Sequence, residues 1–483
     1  MRHGNPVDPG GHLRAEALHR CFMKRTCPTT ARKENPWPLP LTAGKRRTLV
    51  VSAAVVAAGV GAGAVVMNAN AGTVDLYHQT LAAKDGWASS GTGTTGGSKA
   101  DSAHTFTVST RAQLVKALGS ASDSTPRIIK VKGTIDANTD DAGKKLTCAN
   151  YAAGTGYSLS AYLKAYNPAT YGRSKLPSGT QETARAAAQK KQAANIVFKV
   201  PANTTIVGEP GTKAGISGGM LQIQNVDNVI VRNLTFAATE DCFPQWDPTD
   251  GDDGNWNANY DAVTLRGATH VWADHNTFTD APHLDSANPQ YFGREYQIHD
   301  GALDITKSSD LVTVSRNQFT NHDKTMLIGS SDSEPSGRLR VSIHHNVWKG
   351  IVQRAPLARV GQVHIYNNLY DVTTLNGYAV QYSINSRAKA QVVAADNHWT
   401  VPSGVKVTKL LSGDGTGAIA GSGNLVNGTA TDLVAAYNAA SSKDLKTTVN
   451  WTPTLTAGLE TSASSVKNLP ASLATTTGAG VLS

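Results

Sequence analysis

The stretch HVWADHNTF, residues 270–278, decides the fold, because its pattern returns further along the chain. The pattern has two apolar or small residues with a spacer between them, two polar residues, an asparagine, a variable residue and an aromatic ring. Four later copies are LVTVSRNQF (311–319), RVSIHHNVW (340–348), QVHIYNNLY (362–370) and QVVAADNHW (391–399). NVIVRNLTF (228–236) repeats it with the asparagine one place earlier. The chain therefore contains a repeated structural unit.

The spacing of the repeat predicts stacked coils. Its asparagines are Asn276, Asn317, Asn346, Asn368 and Asn397, so the steps are 41, 29, 22 and 29 residues. Alternating β-branched residues indicate strands, and a unit this short must bury its apolar face against its neighbours. Asparagine tolerates the left-handed conformation, so we expect it at the corners, where stacked copies would form a ladder.

We therefore predict an all-β fold, a right-handed parallel β-helix with long loops on one side and short peripheral helices. An antiparallel sandwich is the alternative, but it explains neither the repeated asparagine register nor the aromatic ring two positions later. The loops 237–260 and 279–299 are expected to build the binding face, because inserted loops of a solenoid emerge together. Helices are predicted at 110–118, 181–194 and 431–440.

One domain is predicted over residues 72–483, with 137–195 as a surface insertion and 401–483 as a C-terminal covering segment. Residues 1–71 are predicted to be a signal peptide with a long n-region. Three basic residues at 45–47 precede an uncharged run, and Ala69-Asn70-Ala71 resembles a cleavage site. We expect a secreted, extracellular protein without stable membrane association after cleavage. A retained membrane anchor is the alternative, because the run is nearly long enough to span a bilayer.

The formal net charge of +9 comes mostly from that leader. Residues 1–71 hold ten Lys or Arg and three Asp or Glu, which leaves 35 basic and 33 acidic residues in the rest of the chain. A nearly neutral body argues against nucleic acid as a partner. Recognition of an anion must therefore come from a local basic cluster.

Two of the four cysteines, Cys148 and Cys242, remain beyond the predicted cleavage site. An even pair in an exported protein favours a disulfide. Two unpaired buried thiols are the alternative. The pair lacks the spacing of a zinc site.

Three carboxylates fall on consecutive predicted coils. Asp261 precedes one strand, and Asp300 and Asp304 lie four apart on the next coil. Carboxylates gathered in this way repel each other unless a cation joins them, and calcium suits oxygen ligands in irregular geometry. The alternative for each aspartate is a solvated turn residue.

The following coils carry cations. Lys324 lies on the next one, and Arg354 and Arg359 flank a proline in QRAPLAR on the one after it. With the aspartates they would form a strip that holds an acidic ligand, whose carboxylates calcium and guanidinium groups share. An ordinary salt-bridge network is the alternative for the two arginines.

At these residues the chain resembles the bacterial secreted pectate lyases of polysaccharide lyase family 1. The resemblance runs from about residue 72 to the C-terminus and is densest over 196–370. Matching stretches include PANTTIVGEPG (201–211), GNWNANYDAVTLRGATHVWADHNTF (254–278), YFGREYQIHDGALDI (291–305), NHDKTMLIGSSDS (321–333) and QRAPLARVGQVHIYNN (353–368).

The resemblance implies a calcium-dependent enzyme, a monomer, that cleaves α-1,4-linked galacturonan of the plant cell wall by β-elimination. Carried over to this chain, the Ca²⁺ ligands are Asp261, Asp300 and Asp304. Arg354 would remove the proton from C5 of galacturonate, and Lys324 and Arg359 would contact the substrate carboxylate and the transition state. Asp274 and His275 of the WxDH motif would be structural.

An arginine base is chemically demanding, because guanidinium groups rarely lose their proton in proteins. It requires a perturbed site or late proton transfer, and it predicts an alkaline optimum. A pectin lyase for methylated substrate, a polygalacturonase-type hydrolase and a non-catalytic wall-binding solenoid remain alternatives.

Overall fold

A computed structural model describes residues 75–373 and 379–482, so the predicted signal peptide lies outside the described residues. The described part belongs to one compact unit, residues 70–483. Within it, no helix is both long enough and apolar enough to cross a membrane.

The architecture is the predicted parallel β-helix. The larger sheet has sixteen strands. One run of it contains Thr105–Val108, Arg127–Val131, Thr204–Gly208, Asp227–Arg232, Thr269–Asp274, Asp310–Ser315 and Val341–His344. A second run contains Val197–Lys199, Met220–Gln224, Val263–Arg266, Leu303–Thr306 and Leu327–Ile328. Both runs join Leu357–Tyr366, which pairs with Ile384–Ala395 and through it with Leu411–Gly413 and Ala418–Ser422.

A ten-stranded sheet completes each coil. Its strands are Thr134–Asp136, Gly215–Ser217, Thr235–Ala237, Thr277–Thr279, Gln318–Lys324, Val347–Gln353, Leu369–Asp371, His398–Thr400, Leu425–Val426 and Thr429–Ala430. Two antiparallel pairs lie in the loops: Gln245–Asp247 with Asn255–Asn257, and Gln290–Tyr291 with Arg294–Glu295. Neighbouring coils pair in parallel, so equivalent residues of successive coils stack.

The predicted asparagine ladder is confirmed. Each backbone N–H along the series donates to Oδ1 of the asparagine on the next coil at 2.8–3.0 Å, from Asn276 through Asn317, Asn346, Asn368 and Asn397 to Asn424. The first five are fully buried. The ladder therefore satisfies polar groups that the turns would otherwise leave unpaired in the core.

The left-handed corner residue, in contrast, is not the ladder asparagine. The residue before it has φ of 50–55°, at His275, Arg316, His345, Asn367 and Asp396. The shifted repeat fits the same rule: Asn233 occupies the corner with φ of 56°, and the N–H of Leu234 donates to Oδ1 of Asn276 at 3.1 Å. Asparagine thus serves mainly as a hydrogen-bond partner between coils.

The recurring aromatic residues form a buried stack. Successive ring centroids lie 4.2–6.0 Å apart with nearly parallel planes, from Phe236 through Phe278, Phe319, Trp348 and Tyr370 to Trp399. Such pairs add about 0.5–1.5 kcal/mol each beyond the area that they bury. Stacking therefore reinforces the parallel register of the smaller sheet.

The α-helices among the described residues are Arg111–Leu118, Cys148–Ala152, Leu159–Ala165, Pro168–Tyr171, Thr180–Ile196, Leu433–Asn438 and Ala463–Thr476. Short 3₁₀ turns are Trp87–Ser89, Ser102–His104, Asp285–Ala287 and Val407–Lys409. The three helices predicted from the sequence are confirmed within a few residues. Cys148 and Cys242 form a disulfide, so the alternative of free thiols is wrong.

Candidate active site

Strand register brings the predicted acidic residues together. Val263 pairs with Leu303, so Asp261 and Asp304 belong to adjacent coils at the same end of the larger sheet. The N–H of Gly301 donates to Oδ1 of Asp261 at 2.9 Å, and the N–H of Leu327 donates to Oδ1 of Asp304 at 2.9 Å. The backbone therefore fixes both carboxylates.

Gly301 is required for this arrangement. A Cβ atom added to it would lie 2.5 Å from Oδ1 of Asp304 and 2.8 Å from Oδ1 of Asp261. The two carboxylates therefore face each other across a position where only hydrogen fits. We call Asp261, Asp300, Gly301 and Asp304 the carboxylate cradle.

The cradle is electrostatically costly. Burial, with the carboxylate of Asp300, raises the pKa of Asp261 to about 7, although Arg354 opposes this. Burial and the charges of Asp261 and Asp300 raise the pKa of Asp304 well above its usual value. An added cation would relieve this repulsion.

The cradle fits calcium as a partial site. Among the residues that the structure describes, no three His, Cys, Asp or Glu side chains converge into a complete metal cluster. Asp261 and Asp304 nevertheless lie on either side of the space above Gly301. Calcium accepts six to eight oxygen ligands, including water and ligand oxygens, so a cradle that supplies only some of them suits it.

The cationic residues Lys324 and Arg354 line one cleft. Lys324 ends its strand and pairs with Gln353 on the next coil, directly before Arg354. Both cations border a cavity of about 540 Å³. Arg354 influences the pKa values of Asp261 and Asp304, so its charge acts on the cradle.

Arg354 is held in an unusual conformation. Its φ is 60°, a left-handed value that costs energy in a residue with a side chain. Its buried Nε has no hydrogen-bond partner in the described part of the chain. Burial raises the pKa of the neighbouring Tyr382 to about 12, against the effect of the Arg354 charge. These two features make Arg354 a candidate functional residue.

Arg359 lies beside this pair, but it does not line the cleft. Its Nη1 donates to the carbonyl of Ser330 at 3.2 Å, and its Nε lies 3.7 Å from Asp332, which also pairs with Arg387. Burial lowers the pKa of Arg359, and the Arg354 charge contributes. Of the three cations that were predicted to form a strip, Lys324 and Arg354 line the cleft, whereas Arg359 forms an ion pair with Asp332, which also pairs with Arg387.

The cleft contains acidic residues that the sequence reasoning missed. Asp323 accepts hydrogen bonds from Nε2 of Gln297 at 2.6 Å and of Gln353 at 3.0 Å. Burial, with Asp285 and Asp323, raises the pKa of Glu295 to about 7. Asp323 directly precedes Lys324 in NHDK, and that adjacency was the available signal.

Asp274 ends a strand of the larger sheet and His275 occupies the following corner, and neither lines the cleft. Burial alone would raise the pKa of Asp274, but the charges of His275 and Arg232 lower it to about 2. Arg232 lies 2.8 Å from this carboxylate, and Ser315 donates to it at 2.6 Å. These contacts link three coils of the sheet.

The fold and the cleft define a parallel β-helix protein in which buried carboxylates lie near two cations. The family model described as "Pectate lyase" matches residues 171–478. The chain belongs to the pectate lyase family, a family of polysaccharide lyases.

Curated relatives and solved structures support the assignment to the pectate lyase family. A pectate lyase of Bacillus subtilis (strain 168) is 48% identical over 406 residues, which cover 83% of this chain and 94% of that protein. A solved pectate lyase bound to a hexasaccharide has a TM-score of 0.79 at 45% identity, covering 85% of this chain and all of that one. Another, described for substrate specificity and an anti β-elimination mechanism, has a TM-score of 0.79 at 44% identity and the same coverage.

Proposed function

We propose that this protein is a calcium-dependent pectate lyase that cleaves α-1,4-linked galacturonan and releases 4,5-unsaturated oligogalacturonides. Its substrate would be polygalacturonate or low-methyl pectin, an acidic polysaccharide of the plant cell wall. The observation that carries this proposal is the cradle around Gly301 on the coils next to Lys324 and Arg354. The anti β-elimination described for a structural neighbour supports the reaction type.

Calcium, held by Asp261, Asp300 and Asp304, would supply positive charge to the carboxylate of the bound sugar. Lys324 would orient the same carboxylate from the cleft. Arg359 would contact it only after leaving the carbonyl of Ser330 and Asp332, which hold it outside the cleft. The C5 hydrogen is α to this group, so removing its proton places negative charge on the carboxylate oxygens. Fixed cations stabilise charge that develops in the transition state.

Arg354, in the neutral form that it would take after giving one guanidinium proton to solvent, would accept the C5 proton in the cleft. The electron pair of the C5–H bond then forms the C4=C5 double bond. The bond from C4 to the glycosidic oxygen breaks, and that oxygen takes up a proton. No water molecule is consumed.

The alternative functions leave some of these residues without a role. A polygalacturonase-type hydrolase needs a carboxyl acid and a carboxylate base, and Lys324, Arg354 and Arg359 would then have no role. A pectin lyase for methylated substrate would have no need of the cradle. A wall-binding protein without turnover would not need a base in the cleft.

We also infer that the protein is exported and acts as a monomer outside the cell. Residues 1–71 would be removed as a signal peptide, which leaves residues 72–483 as one domain. The disulfide is consistent with an oxidising compartment.

The test is to incubate the secreted protein with polygalacturonate and to follow ultraviolet absorbance of the conjugated product. We expect absorbance to rise, to stop with a chelator and to resume when calcium is added back. New reducing ends without absorbance would support hydrolysis instead. Activity confined to methylated pectin and insensitive to chelator would support a pectin lyase.

A further inference from the structure

A second cavity, of about 510 Å³, has no lining residue in common with the cleft. We call it the basic cavity. Its walls carry four cationic side chains and no acidic one, together with side-chain amides. The cations are Arg338, Arg340, Lys389 and Lys446, and the amides include Gln391 and Asn450.

The positive charge of the basic cavity is only partly compensated. Asp310 is buried and engages Arg340 through both carboxylate oxygens, while Nη1 of Arg338 lies 3.9 Å from one of them. Nζ of Lys389 donates to the backbone carbonyl of Glu334 at 3.2 Å. Over the described ranges, neither Lys389 nor Lys446 takes part in an ion pair.

The carboxylate of Glu334, whose backbone carbonyl accepts from Lys389, already has other partners. Glu334 accepts hydrogen bonds from the N–H groups of Lys307, Ser308 and Ser330 and from the hydroxyl of Ser330. Arg338, Lys389 and Lys446 are all exposed. These three cations are therefore available to an anionic ligand.

Two half-buried tryptophans stand beside the basic cavity. The ring centroids of Trp87 and Trp451 lie 5.7 Å apart, and the guanidinium of Arg340 lies 5.3 Å from the Trp87 ring. The indole N–H of Trp451 donates to the carbonyl of Gln391 at 3.0 Å, and the N–H of Asn450 donates to Oε1 of Gln391 at 3.1 Å. The rings and the lining amides are thus held in one arrangement.

Two segments that are far apart in sequence, 84–87 and 450–457, contribute to this arrangement. Gly86 donates to the carbonyl of Leu455 at 3.2 Å, and Ala457 donates to the carbonyl of Lys84 at 2.9 Å. The N-terminal segment also packs closely on the sheet, because a Cβ at Gly86 would lie 2.5 Å from Oγ1 of Thr313. The tryptophans are therefore preorganised, which lowers the entropy cost of binding.

We propose that the basic cavity is a second, non-catalytic binding site for an acidic oligosaccharide, a uronate chain. The substrate class rests on the proposed function. Cations bind carboxylates, amides bind sugar hydroxyls, and an indole offers a flat apolar surface to a sugar ring. A simple polyanion would need only the first of these.

The position of the basic cavity gives the site a use. Gln362 lines it and lies three residues beyond Arg359 on the same strand, so the two Cα atoms are at most about 11 Å apart. Polymer held there would raise the local concentration of substrate at the cleft. Short oligosaccharides that fill only the cleft would not benefit.

The test compares two triple variants. Arg338→Ala with Lys389→Ala and Lys446→Ala removes charge from the basic cavity, and Lys99→Ala with Lys116→Ala and Lys132→Ala removes the same charge from exposed positions elsewhere. On the Arg354→Ala background, which prevents turnover, affinity electrophoresis measures binding to polygalacturonate and to polyglutamate. We expect the first triple variant alone to bind polygalacturonate about ten-fold more weakly, because each exposed ion pair contributes little to the binding free energy.

Two further measurements distinguish binding at the basic cavity from general electrostatic attraction and from binding at the cleft. Trp451→Ala should weaken binding to polygalacturonate and leave binding to polyglutamate unchanged. In the enzyme that retains Arg354, the first triple variant should have the same kcat/KM on trigalacturonate as the parent. Its kcat/KM on polygalacturonate should fall. Thermal melting shows whether each variant folds. If Trp451→Ala does not fold, the result for the first triple variant decides the test.

Unchanged polymer binding in the first triple would overturn the proposal. Equal losses in both triples, or equal losses for both polymers without an effect of Trp451→Ala, would do the same by showing only general attraction. If the parent cleaves neither substrate while the binding pattern holds, the proposed lyase function fails and the second site stands.

Discussion

Gly301 has room for a hydrogen atom and nothing larger between Asp261 and Asp304. We predict that Gly301→Ala raises the calcium concentration for half-maximal activity at least about ten-fold, because the methyl group pushes the carboxylates from their positions. Calorimetric calcium binding should weaken in parallel. Gly404→Ala is the matched control, because an added Cβ there meets no atom within 4 Å. Unchanged calcium affinity in Gly301→Ala would contradict the assignment of the cradle.

Arg354 is the proposed base in the cleft. Arg354→Ala should lower kcat about 10²–10⁴-fold, the range for loss of a proton-transfer group. Calcium binding should be retained, and the melting temperature should stay close to that of the parent. Arg266→Ala, at an exposed arginine, should leave the rate unchanged. A rate within about ten-fold of the parent would remove Arg354 from the mechanism.

At the residue scale, the sequence predicted which acidic residues lie close together better than it predicted their contacts. Asp261 and Asp304 meet because two parallel strands align, which the spacing indicated. The glycine between them gave no signal in advance, since its role depends on side chains from two coils. Arg359 lies outside the cleft because Asp332 and the carbonyl of Ser330 hold it, and these contacts cross between coils.

The asparagine ladder is the element that holds the coils in register. Asn346→Ala should lower the free energy of unfolding by about 2–4 kcal/mol, because it removes the acceptor of the buried Asn317 N–H and a donor to the carbonyl of Val314, both on the preceding coil. Denaturant unfolding measures this. Asn468→Ala, at an exposed helical position, should change stability by no more than about 0.5 kcal/mol. Equal stability of the two variants would show that the ladder is dispensable.

The corners show where sequence periodicity reaches its limit. The repeat located every corner, but it assigned the left-handed conformation to the ladder asparagine instead of the residue before it. Residues as different as His275, Arg316 and Asp396 take that conformation. The left-handed conformation is strained in residues that have a side chain, and the hydrogen bonds around these residues offset that strain. Propensity alone could not have distinguished these positions.

At the scale of the whole molecule, one disulfide joins the helical segment to the loop that leads to the cleft. Replacing Cys148 and Cys242 by serine should lower the free energy of unfolding by about 2–5 kcal/mol. Amide exchange in the helix Thr180–Ile196 should rise first, because Gln192 and Arg185 bind the same loop. Reductant should reproduce the effect in the parent and add nothing to the variant. A loss below about 0.5 kcal/mol would contradict this role.

The regions outside the repeat were the least predictable part of the molecule. Trp87 and Trp451 meet although 364 residues separate them, and neither lies in a repeated stretch. Such contacts depend on where the segments 84–87 and 450–457 cross the solenoid, and no local pattern encodes that. The basic cavity could therefore be inferred only from the structure.

The central claim is that cradle and cations cleave galacturonan by elimination, and the masses of the products test it most directly. The parent is incubated with calcium and a defined oligogalacturonate, and both fragments of each cleavage are weighed by mass spectrometry. We predict that the two masses sum to that of the intact substrate. A sum larger by one water molecule would mean hydrolysis and would contradict the account.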